Sequence, residues 1–143
     1  MVIQQPASLG AAEGQMQDIA KTGSSKPAVL LVEDEVMIRM MVADMLGEIG
    51  YVIAGEAGDI DEAVRLVQTT EFDIAILDVN VNGRVISPVA EAVTLRGRPF
   101  LFATGYGSSG LPEKYRDIPT LQKPFQMATL QRAIEDALRD VAA

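Results

Sequence analysis

From Ala28 onward the chain alternates between two hydrophobic rhythms. Short apolar runs ("AVLLVED", "YVIAGEA", "FDIAILDV", "RPFLFATG" and "PTLQKP") have the length and composition of β-strands. Between them lie segments whose apolar residues recur three and four apart, a spacing that lines one face of a helix. "EVMIRMMVADMLGEIG" places Ile38, Met41, Val42, Met45, Leu46 and Ile49 on one face and stops at Gly50. "DIDEAVRLVQTT" begins with Asp59, a side chain suited to an N-cap. "SPVAEAVTLRG" carries Pro88 in its first turn, where proline is tolerated. "LPEKYRD" allows at most a short helix, and "QMATLQRAIEDALRDV" is a long terminal one with Leu130, Ile134 and Leu138 in core packing. Five strand–helix alternations predict a parallel sheet with helices on both faces. Residues 1–26, rich in Ala, Gly, Gln and Ser, are expected to form a flexible tail with a short helical stretch near Gln15–Ala20, ahead of one domain over 27–143.

The ends of the apolar runs carry the chemistry. "FDIAILD" closes on Asp78, a charge too costly to desolvate inside a core. In open α/β sheets, ligands bind beyond the carboxyl ends of the strands. Glu33 and Asp34 end the first run, Asp78 the third, Thr104 the fourth and Lys123 the fifth. Carboxylates gathered in one pocket repel one another unless a cation intervenes. A hard cation such as Mg²⁺ uses one or two carboxylates, waters and a phosphoryl oxygen, and the backbone carbonyl of Asn80 could add one more ligand. A carboxylate oxygen left over can act as a nucleophile toward phosphorus. Lys123 then offers positive charge, Thr104 a hydroxyl, and Gly105 room for close backbone approach.

Composition narrows the choices. The 143 residues include no Cys, which excludes disulfides and thiolate metal sites. They include no His, which removes histidine bases, histidine ligands and phosphohistidine on this chain. Any metal site is therefore built from oxygen. The formal charge of −8 argues against nucleic acid and suits a basic protein surface as partner. No apolar run is long enough to span a membrane, and the N-terminus lacks the pattern of a secretory signal, so a cytoplasmic location is expected. At 5% aromatic residues, the core is expected to be aliphatic.

The pieces "LLVEDE", "AILDVNVNG", "FATGYG" and "QKPF" resemble the receiver domain of two-component response regulators, over roughly residues 27–142. The interval from the acidic pair to Asp78 is typical of receivers. The resemblance implies a doubly wound (βα)5 flavodoxin-like parallel sheet of strand order 2-1-3-4-5. It implies that Asp78 accepts a phosphoryl group from a phosphohistidine on a histidine kinase or histidine phosphotransferase. Glu33 and Asp34 would hold Mg²⁺ together with Asp78 and the Asn80 carbonyl. Thr104 and Lys123 would contact the phosphoryl group, and a cis peptide would follow Lys123.

The departures from the usual receiver are specific. Thr120 stands where most receivers carry a switch aromatic three residues before the lysine, and "VNVNG" replaces the usual Met-Pro after the acceptor. Tyr106, in "FATGYG", resembles the stand-alone subgroup nicknamed FAT GUY receivers, and Tyr106 with the Gly107–Gly110 loop is expected to carry the switch. The short interval between Thr104 and Lys123 predicts a shrunken or mobile fourth helix. The chain ends with its fifth helix, so output is expected through protein–protein docking to an unidentified partner or through service as a phosphate relay or sink. The alternative is a receiver fragment of a larger hybrid kinase or regulator. A phosphatase of the haloacid-dehalogenase kind would carry Asp-x-Asp on its first strand; here the acidic pair comes first and Asn80 takes the place of the second Asp. The expected protein is a phosphoacceptor rather than an enzyme with a separate substrate.

Overall fold

The computed structural model describes residues 26–105 and 111–142. The expected N-terminal tail, but for Lys26, and Tyr106 with Gly107–Gly110 lie outside the described residues. Strands β1 (Ala28–Val32), β2 (Val52–Ala57) and β3 (Ile74–Asp78) alternate with helices α1 (Val36–Glu48) and α2 (Ile60–Thr69). A two-residue pair, β4 (Asn80–Val81) and β5 (Arg84–Val85), follows β3. Then come α3 (Ser87–Leu95), β6 (Phe100–Thr104), a 3-10 turn at Glu113–Tyr115, β7 (Thr120–Gln122) and α4 (Met127–Ala142).

The main sheet is parallel with order β2-β1-β3-β6-β7, which is 2-1-3-4-5 once the small hairpin is set aside. The alternation of side chains along each strand explains why β1, β3 and β6 read as continuous apolar runs: both faces are covered. Leu30, Val32, Ala75, Leu77, Phe100 and Phe102 pack with Ile60, Ala63 and Val67 of α2 and Val89, Ala90 and Val93 of α3. Val29, Leu31, Ile74, Ile76, Leu101 and Ala103 pack on the other face with Val42 and Leu46 of α1 and Leu130, Ile134 and Ala137 of α4.

Three local features differ from the sequence reading. Met41, placed on the core face of α1 by periodicity, is about half exposed (48%), while Val42 and Leu46 take the core positions. The core is not wholly aliphatic: Phe100, Phe102 and Tyr115 meet edge to face with ring centroids 5.4–6.1 Å apart. Tyr115 belongs to the 3-10 turn and is buried, so the turn is anchored to the sheet through its ring. Lys114 ties the same turn to α3 through a 3.0 Å bond to Glu91. The expectation of a shrunken fourth helix is met among the described residues by this single turn. The third difference is the β4–β5 hairpin, turned by Asn82 (φ 53°) and Gly83 (φ 79°). Positive φ at both central residues is what a tight hairpin matched to strand twist requires, and Asn-Gly is its usual sequence.

Candidate functional site

Sheet register assembles the strand ends. Val32 lies opposite Leu77, so Glu33 follows at the level of Asp78. Asp78 pairs with Ala103, and Thr104 with Gln122, so Thr104 and Lys123 lie one step further out on the same edge. The Lys123 N–H donates to the Thr104 carbonyl at 2.8 Å, and the Val79 N–H to the Ala103 carbonyl at 3.2 Å, extending the ladder past the formal strands. The Lys123–Pro124 peptide is cis.

Glu33, Asp34, Asp78, Asn80, Thr104, Gly105 and Lys123 line one cleft of about 860 Å³, with Met41, Val85 and Phe125 among its apolar walls. Carboxylate oxygens of Glu33, Asp34 and Asp78 all lie within 4.8 Å of one another. Lys123 Nζ donates to Glu33 Oε1 at 2.6 Å and lies 3.4 Å from Asp78 Oδ2. The Asn80 N–H reaches Asp78 Oδ1 at 3.4 Å. Glu33, Asp78 and Thr104 are the buried polar side chains of the described residues.

Burial, then the neighbouring Glu33, pushes the Asp78 carboxyl up to about 6, against the pull of Lys123 and the Asn80 N–H. Burial also acts to raise Asp34. The Asn82 N–H and the Glu33 side chain outweigh it, and Asp34 sits below its ordinary value. For Lys123, burial opposes the charge, but the bond to Glu33 and the charge of Asp78 prevail, and the ammonium is held above its usual range. Three carboxyl groups thus face one ammonium. The surplus of oxygen donors, with no nitrogen or sulfur ligand, fits a hard divalent cation.

Of the sequence-derived residues, Glu33, Asp34, Asp78, Asn80, Thr104 and Lys123 come together in this cleft, and Tyr106 lies outside the described residues. Two neighbours escaped the sequence reading. Arg39 of α1 donates from Nη1 to the Glu33 carbonyl at 2.7 Å and pairs through Nε with Glu56 at 3.3 Å, fixing the turn between β1 and α1. Asn82 donates its N–H to Asp34 Oδ2 at 2.9 Å. Arg39 left no local signal beyond a cation on a helix's polar side. Asn82 did, since Asn-Gly between Val81 and Arg84 is a hairpin sequence.

A five-stranded, doubly wound parallel sheet with an acidic pocket and a lysine at its carboxyl edge defines the flavodoxin-like class to which receivers belong. The response regulator receiver domain pattern matches residues 29–94. SdrG from Sphingomonas melonis Fr1, a solved structure, is 37% identical, with a TM-score of 0.68 over 82% of this chain and 98% of that one. The PhyR receiver domain of Erythrobacter litoralis is 28% identical, with a TM-score of 0.71 over 80% of this chain and 92% of that one. The transcriptional regulatory protein PdtaR of Mycobacterium tuberculosis is 41% identical over 114 residues, which span 77% of this chain and 56% of that protein. The chain belongs to the response regulator receiver domain family, the signalling domains of two-component systems.

Proposed function

We propose that this receiver is a phosphoacceptor switch in which Asp78 takes the phosphoryl group from a phosphohistidine on a histidine kinase or phosphotransfer protein. The observation that carries the reading is the convergence of Asp78, Glu33, Asp34, Thr104 and Lys123 on one cleft, each delivered by a strand end. A carboxylate oxygen of Asp78 bonds to phosphorus while the phosphorus–nitrogen bond to imidazole breaks and its electron pair returns to the departing nitrogen. Lys123, 3.4 Å from Asp78, neutralises the attacking group and then meets the transferred oxygens. The Thr104 hydroxyl supplies a further polar contact at the same edge. Glu33, Asp34, Asp78 and the Asn80 carbonyl would hold Mg²⁺, which supplies charge neutralisation for the phosphoryl oxygens.

The donor's imidazole must approach the mouth of the cleft. Met41 lines that cleft and also a shallow groove with Met37, Met40 and Met127 on the α1 side. Exposed, flexible methionines give an adaptable docking face beside the acceptor. Output follows as altered docking to a second protein, or as phosphate relay, in the cytoplasm. SdrG has been solved in a BeF3-activated conformation, in a chain 40% identical to this one, which supports the same chemistry here.

The test is phosphoryl uptake from a cognate kinase or a small phosphoramidate, followed by intact mass. The expected result is one phosphoryl group in Mg²⁺, none in EDTA and none in Asp78→Asn. Undiminished uptake by that variant contradicts the acceptor assignment.

A further inference from the structure

We propose that Asn82 is a positioning residue for the acidic pocket, and that the β4–β5 hairpin is a clasp whose tip presets Asp34 for a divalent cation. The inference rests on the cation-binding reading above and adds a residue to it.

The hairpin is rooted in the core. Val81 and Ile86 are fully buried, and the Ile86 N–H donates to the Val79 carbonyl at 3.1 Å. Its tip reaches back over two other loops. The Asn82 N–H donates to Asp34 Oδ2 at 2.9 Å, and the Asn82 side-chain amide donates to the Gly58 carbonyl at 3.1 Å. One residue therefore links the hairpin to the turn after β1 and the turn after β2. A hairpin needs only the two positive φ angles to turn; neither of these bonds is required for that.

Asn82 suits both tasks. Asparagine tolerates left-handed backbone better than most residues, which lets the N–H keep its aim. The bond engages a single Asp34 oxygen, Oδ2. A carboxylate already fixed in place loses less freedom when a cation arrives, so affinity rises without a new metal contact. Arg39 does the matching work from the helix side, holding the Glu33 carbonyl at 2.7 Å. Gly58 lies between the two devices: a Cβ there would come within 2.8 Å of Arg39 Nη1. Residues that orient metal ligands typically change metal affinity about 10–100-fold when replaced.

The experiment is Mg²⁺ titration calorimetry on the wild-type chain, Asn82→Gly, Asn82→Ala and Asn82→Val, with urea unfolding of each in EDTA. Glycine keeps the backbone N–H and the positive φ, so its affinity is expected within about threefold of wild type. Valine resists positive φ and withdraws the N–H, and a loss of about tenfold or more is expected. If the valine variant does not fold, the alanine variant is read in its place, with a loss of at least about threefold expected. Wild-type affinity in the folded valine or alanine variant, with only the unfolding midpoint lowered, reduces Asn82 to a turn residue and overturns the proposal. Absence of Mg²⁺ binding by the wild-type chain overturns the cation reading itself.

Discussion

At the residue scale, Asp78 stands between stability and chemistry. An acid whose folded value is raised to about 6 keeps its proton over a range where the unfolded chain has already lost it. Stability without metal therefore falls as pH rises from about 4 toward 6, and the full penalty persists above that range. Asp78→Asn removes the charge that causes it. That variant is expected to unfold later than wild type in EDTA at pH 7.5, by roughly 1–3 kcal/mol, with the gap closing near pH 4. Equal unfolding midpoints at both pH values would count against a strained carboxylate. Lys123 works in the opposite direction. Its ammonium lies 2.6 Å from the nearly buried Glu33 and 3.4 Å from Asp78. Lys123→Met strands those acids and is expected to cost roughly 2–4 kcal/mol in EDTA at neutral pH, while slowing phosphoryl uptake. A variant as stable as wild type would show that the pair contributes little.

At the element scale, the long periodic segments were legible, and among the short ones the β4–β5 hairpin was not. Strands β1, β3 and β6 announced themselves because both faces are buried, so no polar residue interrupts "AVLLV", "IAILD" or "FLFAT". The N-cap of α2 was equally readable: Asp59 accepts from the Glu62 N–H at 2.8 Å. Asp59→Ala is expected to lower stability by about 1 kcal/mol in denaturant unfolding and to leave phosphoryl uptake unchanged. A matching loss of uptake would tie α2 to the site. The hairpin escaped because two-residue strands carry no period, which leaves the Asn82–Gly83 pair as its one sequence signal. Met41 was misplaced because apolar spacing cannot separate a buried methionine from one lining an open cleft. The 3-10 turn was foreseen as a shortage of chain between Thr104 and Lys123. Its aromatic packing was not, because nothing local links Tyr115 to Phe100 and Phe102.

At the scale of the whole molecule, the candidate site is a consequence of parallel pairing. Residues far apart in sequence become neighbours because every strand of the main sheet runs the same way and ends at the same edge. The alternation of strands and helices puts Glu33, Asp34, Asp78, Thr104 and Lys123 at one edge, and the strand order, which the family resemblance implied, makes them neighbours. A cation held by Glu33, Asp34 and Asp78, as proposed, would couple folding to metal. Mg²⁺ at a hundredfold excess over its dissociation constant is expected to stabilise the fold by about 2.7 kcal/mol, reversed by EDTA. No such shift is expected in a Glu33→Gln, Asp34→Asn double variant, and an equal shift there would place the ion elsewhere.

The most direct measurement of the central claim is a two-dimensional amide NMR spectrum with Mg²⁺ before and after beryllofluoride, an acyl phosphate mimic. The account predicts displaced signals for Asp78, Thr104, Gly105 and Lys123 and through residues 106–110, all lost in EDTA and in Asp78→Asn. An unchanged spectrum, or the same displacements in Asp78→Asn, would contradict it.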